Sequence, residues 1–179
     1  MTHPHTATTT PTQPPPTPSS GAADGVATAL AHIPSGLFVV TWRDDAGDRS
    51  MLASWVMQAG FAPPAVTLAV APGRDLLAAI DRGLPFVINI LSDSQRSLLA
   101  RFGRPAAAGE APFADLLTQR AAGGAAVLGG SAGWLECRAV GRAEGDTNDH
   151  VVVLATVTAA GDGGAEQPLV HLRKNGLRY

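Results

Sequence analysis

A single cysteine, Cys137, stands in 179 residues. That excludes an intrachain disulfide and any cysteine-built metal cluster, and it fits a reducing, cytoplasmic setting. The five histidines are scattered, with no metal-ligand spacing. Net charge is −2, so no basic footprint argues for nucleic acid. No apolar run approaches the roughly 20 residues that span a bilayer. No Gly-x-Gly-x-x-Gly follows a strand, and there is neither a Walker loop nor a Gly-x-Ser-x-Gly elbow. No paired carboxylates sit in an apolar run, as a general acid and base would. A chain without an evident acid, base, nucleophile or metal, if it is an enzyme, borrows its chemistry from a cofactor.

What is present is an ordinary globular composition, 45% hydrophobic, enough for one domain with a core. Residues 1–24 read as a separate tail. Thr and Pro dominate there, large apolar side chains are missing after Met1, and such a stretch cannot offset its ordering entropy. Residues 25–179 form the expected domain. The organising stretch is residues 51–74, read as two strands joined by a turn. In it Leu52, Ser54, Val56 and Gln58 would face one way, and Met51, Ala53, Trp55 and Met57 the other. Phe61-Ala62-Pro63-Pro64 stops the first strand, because proline has no N–H for a ladder. The second ends at Pro72-Gly73-Arg74.

Around this pair the pattern predicts one or two helical turns over residues 26–32 and a strand over 37–42. Residues 43–49 read as a polar hairpin loop. A short helix capped by Asp75 should end at Gly83, followed by a buried strand over 86–91. Ser92 or Asp93 would cap a second helix through Leu98, Leu99 and Phe102 to Gly103. Residues 113–122 read as a helical turn or two, and the Gly-rich 125–133 as weakly specified. Strands over 134–144, 150–159 and 169–173 close the chain, with turns at 145–149 and 161–164. Six or seven strands with two short helices imply a mainly antiparallel barrel with inserted helices.

Certain motifs, in order, then become recognisable. Ser35-Gly36-Leu37-Phe38-Val39-Val40-Thr41, Met51-Leu52-Ala53-Ser54-Trp55, Pro63-Pro64, Gly73-Arg74 and Phe86-Val87-Ile88-Asn89-Ile90-Leu91 are followed by Leu135-Glu136-Cys137, Asp149-His150 and the run from Pro168 to Gly176. Together they resemble the flavin reductase-like, FMN-binding split-barrel family over about residues 30–179. The sequence is also similar to the flavin reductase-like module of some flavodiiron proteins. The resemblance implies an antiparallel split β-barrel that forms a homodimer, with FMN or FAD in a groove at the dimer interface. It implies reduction of that flavin by NADH or NADPH. Electrons would pass on to free flavin, a monooxygenase component or oxygen.

The resemblance also assigns residues. Met51, Leu52, Ala53, Ser54 and Trp55 would line the isoalloxazine and ribityl chain. Gly73 and Arg74 match the phosphate loop, where a guanidinium fork suits a phosphate and glycine lets the backbone approach. Asp75 puts a carboxylate at the same place, which opposes a phosphate. Asn89 either bonds the cofactor through its backbone or satisfies a buried neighbour. His150 would face the nicotinamide, though Asn148 replaces the family's glycine before Asp149. His171, Arg173 and Lys174 form a basic cluster that either holds the phosphate or is a solvated edge. Cys137 reads as an inert core thiol. Two alternatives stay open: a flavin-binding electron relay without its own NAD(P)H activity, and a related split barrel using haem or a deazaflavin.

Overall fold

The computed structural model describes residues 20–104, 111–145, 149–164 and 167–177. Alanine dominates α1 (Ser20–Ala31), and alanine carries the least penalty in a helix. The helix is longer than the expected lead-in and starts inside the expected tail; residues 1–19 lie outside the described residues. Its buried face carries Ala27 and Ala31, and the Gly176 N–H donates to the Ala27 carbonyl at 2.9 Å. The C-terminal segment thereby holds the helix.

Strands β1 (Ser35–Gly36), β2 (Phe38–Asp44) and β3 (Gly47–Ala53) follow. The expected loop at 43–49 is instead strand, except for a two-residue turn at Asp45 and Ala46. Gly47 at φ +110° resumes the ladder. Pairing across the hairpin explains the charges: Arg43 sits opposite Asp48 and bonds it at 2.9 Å, and Arg120 adds a second bridge at 2.6 Å.

The expected single strand through residues 51–58 is corrected. It breaks at Ser54 and Trp55. β3 stays on β2, while β4 (Val56–Phe61) pairs with β5 (Pro64–Val70). β3 and β4 end up at opposite edges of one seven-stranded sheet, in the order β3-β2-β6-β9-β10-β5-β4. The chain crosses the split between the two edges at Ser54–Trp55, where the Trp55 carbonyl accepts the Ala69 N–H at 3.0 Å.

Helix α2 (Asp75–Asp81) follows β5. Asp75 is its first helical residue rather than its cap; Arg74 holds the cap position, and the Asp75 carboxylate pairs with Arg49. Leu76 and Ala79 point into the barrel, and Gly83 at φ +72° ends the turn. β6 (Phe86–Ile90) is central, between β2 and β9, which is why its run is apolar on both faces. A 3₁₀ turn (Asp93–Gln95) and α3 (Leu98–Phe102) come next.

The stretch expected to form a helical turn or two at 113–122 and the weakly specified 125–133 each hold a short strand instead. β7 (Thr118–Arg120) and β8 (Ala126–Leu128) form a small hairpin over the outer face of the sheet, where Val127 packs beside Val87. β9 (Gly133–Ala143) and β10 (Val151–Asp162) are long antiparallel partners, and β10 runs through the turn expected at residue 161. β11 is only Val170–His171, paired with β1. Val40, Leu68, Leu76, Phe86, Ile88 and Val153 fill the barrel, all fully buried. Val39, Leu91, Phe102 and Leu169 form a second layer outside it. The whole is an antiparallel split β-barrel with short inserted helices, as expected.

Candidate functional site

The split between β3 and β4 positions the site. Breaking the strand frees Ser54 and Trp55 from the ladder alternation and points them toward the C-terminal segment. Ser54 is buried, and its Oγ accepts a bond from Arg173 Nη2 at 2.7 Å. The same guanidinium lies 4.5 Å from the centroid of the Trp55 ring, a cation–π distance. The His150 ring stands 4.6 Å from the Trp55 ring, tilted by 58°. The indole is therefore flanked by a guanidinium and an imidazole, yet keeps 38% of its surface exposed, enough to meet a ligand.

His150 sits just ahead of β10. Its Nδ1 lies 2.8 Å from Asp149 Oδ1. A carboxylate only accepts, so the Nδ1 carries the proton and the lone pair of the neutral ring falls on Nε2. The hydrogen bond from His150 holds the Asp149 carboxyl below the usual carboxylate range.

His150 also lines a cleft of about 330 Å³. Pro72, Gly73 and Leu77 form one wall; Arg142, Glu144 and Val151 belong to the other. Gly73 has φ +78°, a left-handed conformation that favours glycine. Arg74, next to it, is exposed and its side chain has no hydrogen bond or ion pair among the described residues. Arg142 is held by Asp81 at 2.5 Å and by Glu144 at 2.9 Å.

Of the expected residues, the structure brings together Ser54, Trp55, His150 and Arg173, with Gly73 in the cleft that His150 shares. Others go elsewhere. Met51 packs, partly buried, on the barrel core, Leu52 likewise on the outer layer, and Ala53 is buried inside. Of the two readings of Asn89, its side chain follows the second, satisfying buried neighbours. It is fully buried, donates to the Val39 carbonyl at 3.0 Å and accepts the Leu128 N–H at 2.8 Å. That amide ties β6 to β2 and β8. His171 is tied up in the β1 ladder, and Lys174 is exposed; neither lines the cleft. Of the three basic residues, Arg173 is the one whose guanidinium meets Ser54 and Trp55. Cys137 is buried, and desolvation pushes its thiol up to about 12, as an inert core thiol requires.

Sequence reasoning missed Asp81, Arg142 and Glu144. Arg142 and Asp81 stand 61 residues apart, so no local pattern announces their pairing. Among the described residues no group of three or more His, Cys, Asp or Glu could hold a metal. No helix there is long and apolar enough to cross a membrane.

The residues expected to bind a flavin can be set against this geometry. A flavin needs a flat apolar surface, main-chain donors and a cation for its phosphate. The split supplies two edge strands whose outward N–H groups have no ladder partner, beside an exposed indole. Arg74, exposed beside Gly73 of the cleft, supplies a guanidinium. The residues present fit the group.

Known proteins agree. The family model of the flavin reductase-like domain matches residues 30–176. Diflavin flavoprotein A 1 of Synechocystis sp. is 36% identical over 153 residues, covering 84% of this chain and 26% of that protein. The chain thus spans about a quarter of the length of the curated relatives it matches. The styrene monooxygenase flavin reductase of Pseudomonas putida is 25% identical with a TM-score of 0.69, covering 80% of this chain and 90% of that one. The NADH:FAD oxidoreductase SgcE6 of Streptomyces globisporus, at 22% identity, shares the fold with a TM-score of 0.72, covering 82% and 88%. With the split barrel and the residues gathered at its seam, these matches show that the chain belongs to the flavin reductase-like domain family.

Proposed function

We propose that the chain binds FMN or FAD along the Ser54–Trp55 seam and reduces it with NADH or NADPH, as a homodimer. Electrons then go to free flavin, a partner oxygenase or oxygen. The supporting observation is the convergence of Ser54, Trp55, His150 and Arg173 beside the split between the edge strands β3 and β4. A bound flavin supplies the two-electron chemistry: NAD(P)H, a proton and oxidised flavin give NAD(P)⁺ and reduced flavin.

The chain's own residues bind and orient. Main-chain groups of Ser54 and Trp55 meet the ring system, and Arg74 meets the phosphate. Arg173 fixes the indole from one side. His150, its tautomer set by Asp149, faces the nicotinamide and is the residue we assign to the catalytic step. Trp55 excludes water from one flank. Exposed Met57, Val140, Val152 and Leu154 lie on neighbouring strands of the sheet's outer face, an apolar patch suited to a second copy of the chain.

The test is anaerobic. Titrated FMN should bind, and NADH or NADPH should bleach it faster than free FMN is bleached. A chain that neither binds FMN nor accelerates bleaching refutes the reading. Tight binding with no acceleration selects the electron-relay alternative instead; Asn148, on which that alternative rests, lies outside the described residues. Sedimentation tests the dimer separately.

A further inference from the structure

The cleft that His150 lines also carries two carboxylates, Asp81 and Glu144, that the flavin reading does not use. Asp81 ends α2, Arg142 lies near the end of β9, and Glu144 follows it. Asp81 takes the Nη1 edge of the guanidinium and Glu144 its Nε edge. Each edge with which the guanidinium could clamp a phosphate thus already has one nitrogen on a carboxylate. Two negative charges against one positive leave this trio net negative.

That arrangement bears on the choice between the two nicotinamide cofactors. They differ by one 2′-phosphate, which carries about −1.5 to −2 charges near neutral pH. A carboxylate accepts bonds from a ribose diol, whereas an arginine accommodates the 2′-phosphate. Here the arginine is engaged and the carboxylates outnumber it. Resting on the proposed function above, in which the nicotinamide end lies at His150, we infer that the remainder of the cofactor runs along this cleft and that Asp81, Glu144 and the restrained Arg142 select NADH over NADPH.

The prediction concerns binding as well as rate. On the FMN-loaded protein, calorimetry should show ADP-ribose binding at least about tenfold tighter than its 2′-phosphate, a difference of roughly 1.4 kcal/mol. The double variant Asp81→Asn, Glu144→Gln keeps the shapes and releases Arg142. It should gain affinity for the 2′-phosphate by about tenfold or more and shift the NADPH KM downward by a similar factor. Adding Arg142→Ala should abolish the gain. All three side chains are exposed and the two ion pairs lie at the surface, so folding is not at stake. Equal binding of the two probes, tighter binding of the 2′-phosphate, no binding of either, or a double variant unchanged in preference overturns the inference. Failure of FMN to bind defeats the proposed function instead; the same two probes on the flavin-free chain still decide the charge selection.

Discussion

Replacing Arg173 with alanine removes two contacts at once from the seam. One is the bond to Ser54 Oγ at 2.7 Å, the other the stacking over Trp55 at 4.5 Å. A hydrogen bond from a charged donor contributes about 1.5–3 kcal/mol, and an exposed cation–π contact about 0.5–1 kcal/mol. Arg173 is half-buried and partly screened, so the low end applies, and the loss should be about 2 kcal/mol. For a domain of this size that lowers the melting temperature by about 4–8 °C. The assay is thermal denaturation of the flavin-free protein, with tryptophan fluorescence recorded on the same sample. Removing the guanidinium should also alter the emission and increase the mobility of Trp55. Arg173→Lys keeps the charge without the planar fork and should fall between. A flavin-free variant that melts within about 1 °C of the parent, with unchanged emission, refutes the clamp. If that variant instead lost only FMN affinity, Arg173 would be a phosphate ligand, one of the two roles the sequence resemblance left open for it.

Arg74→Ala should weaken FMN binding by about 1.5–3 kcal/mol, read by titration; unchanged affinity would move the phosphate to another cation, Lys174 first. His150→Ala should slow flavin reduction in stopped-flow mixing more than it weakens FMN binding, and unchanged turnover would make the histidine structural. Hydrogen bonds from Arg120 hold the Asp48 carboxyl below its ordinary range. The unfolded chain then takes up that proton at a higher pH than the folded one. The resulting stability is fully present above about pH 4 and is lost as pH falls through the lowered value. Asp48→Asn should therefore flatten the fall in melting temperature between about pH 5 and pH 3; an unchanged slope would contradict the bridge.

The barrel was legible where burial and periodicity act locally. The apolar runs at β2, β5, β6 and β10 marked themselves, because buried strands admit little else. Asp75, Gly83 and Gly103 bounded helices to within a residue or two. The break at Ser54–Trp55 was not legible. Residues 51–58 alternate equally well as one strand or as two, and only the distant partners, β2 for Met51 and β5 for Met57, decide. The hairpin of β7 and β8 escaped for a related reason: strands of three residues carry too short a pattern to exceed the glycines around them. Of the residues that the resemblance named for the site, Ser54, Trp55, His150 and Arg173 lie together. It left Arg173 between a phosphate and a solvated edge, because a sequence shows a charge but not the indole beneath it. Asn89 read as ambiguous for the same cause, since its partners Val39 and Leu128 lie 50 and 39 residues away.

The central claim is that the seam where β3 hands the chain to β4 is the flavin's seat. A crystal structure of the FMN-loaded protein measures this directly. The account predicts the isoalloxazine against main-chain atoms of Ser54 and Trp55, with the phosphate at Arg74 and His150 on the open side. A flavin bound away from that seam, with Trp55 and Arg173 untouched by it, would contradict the account.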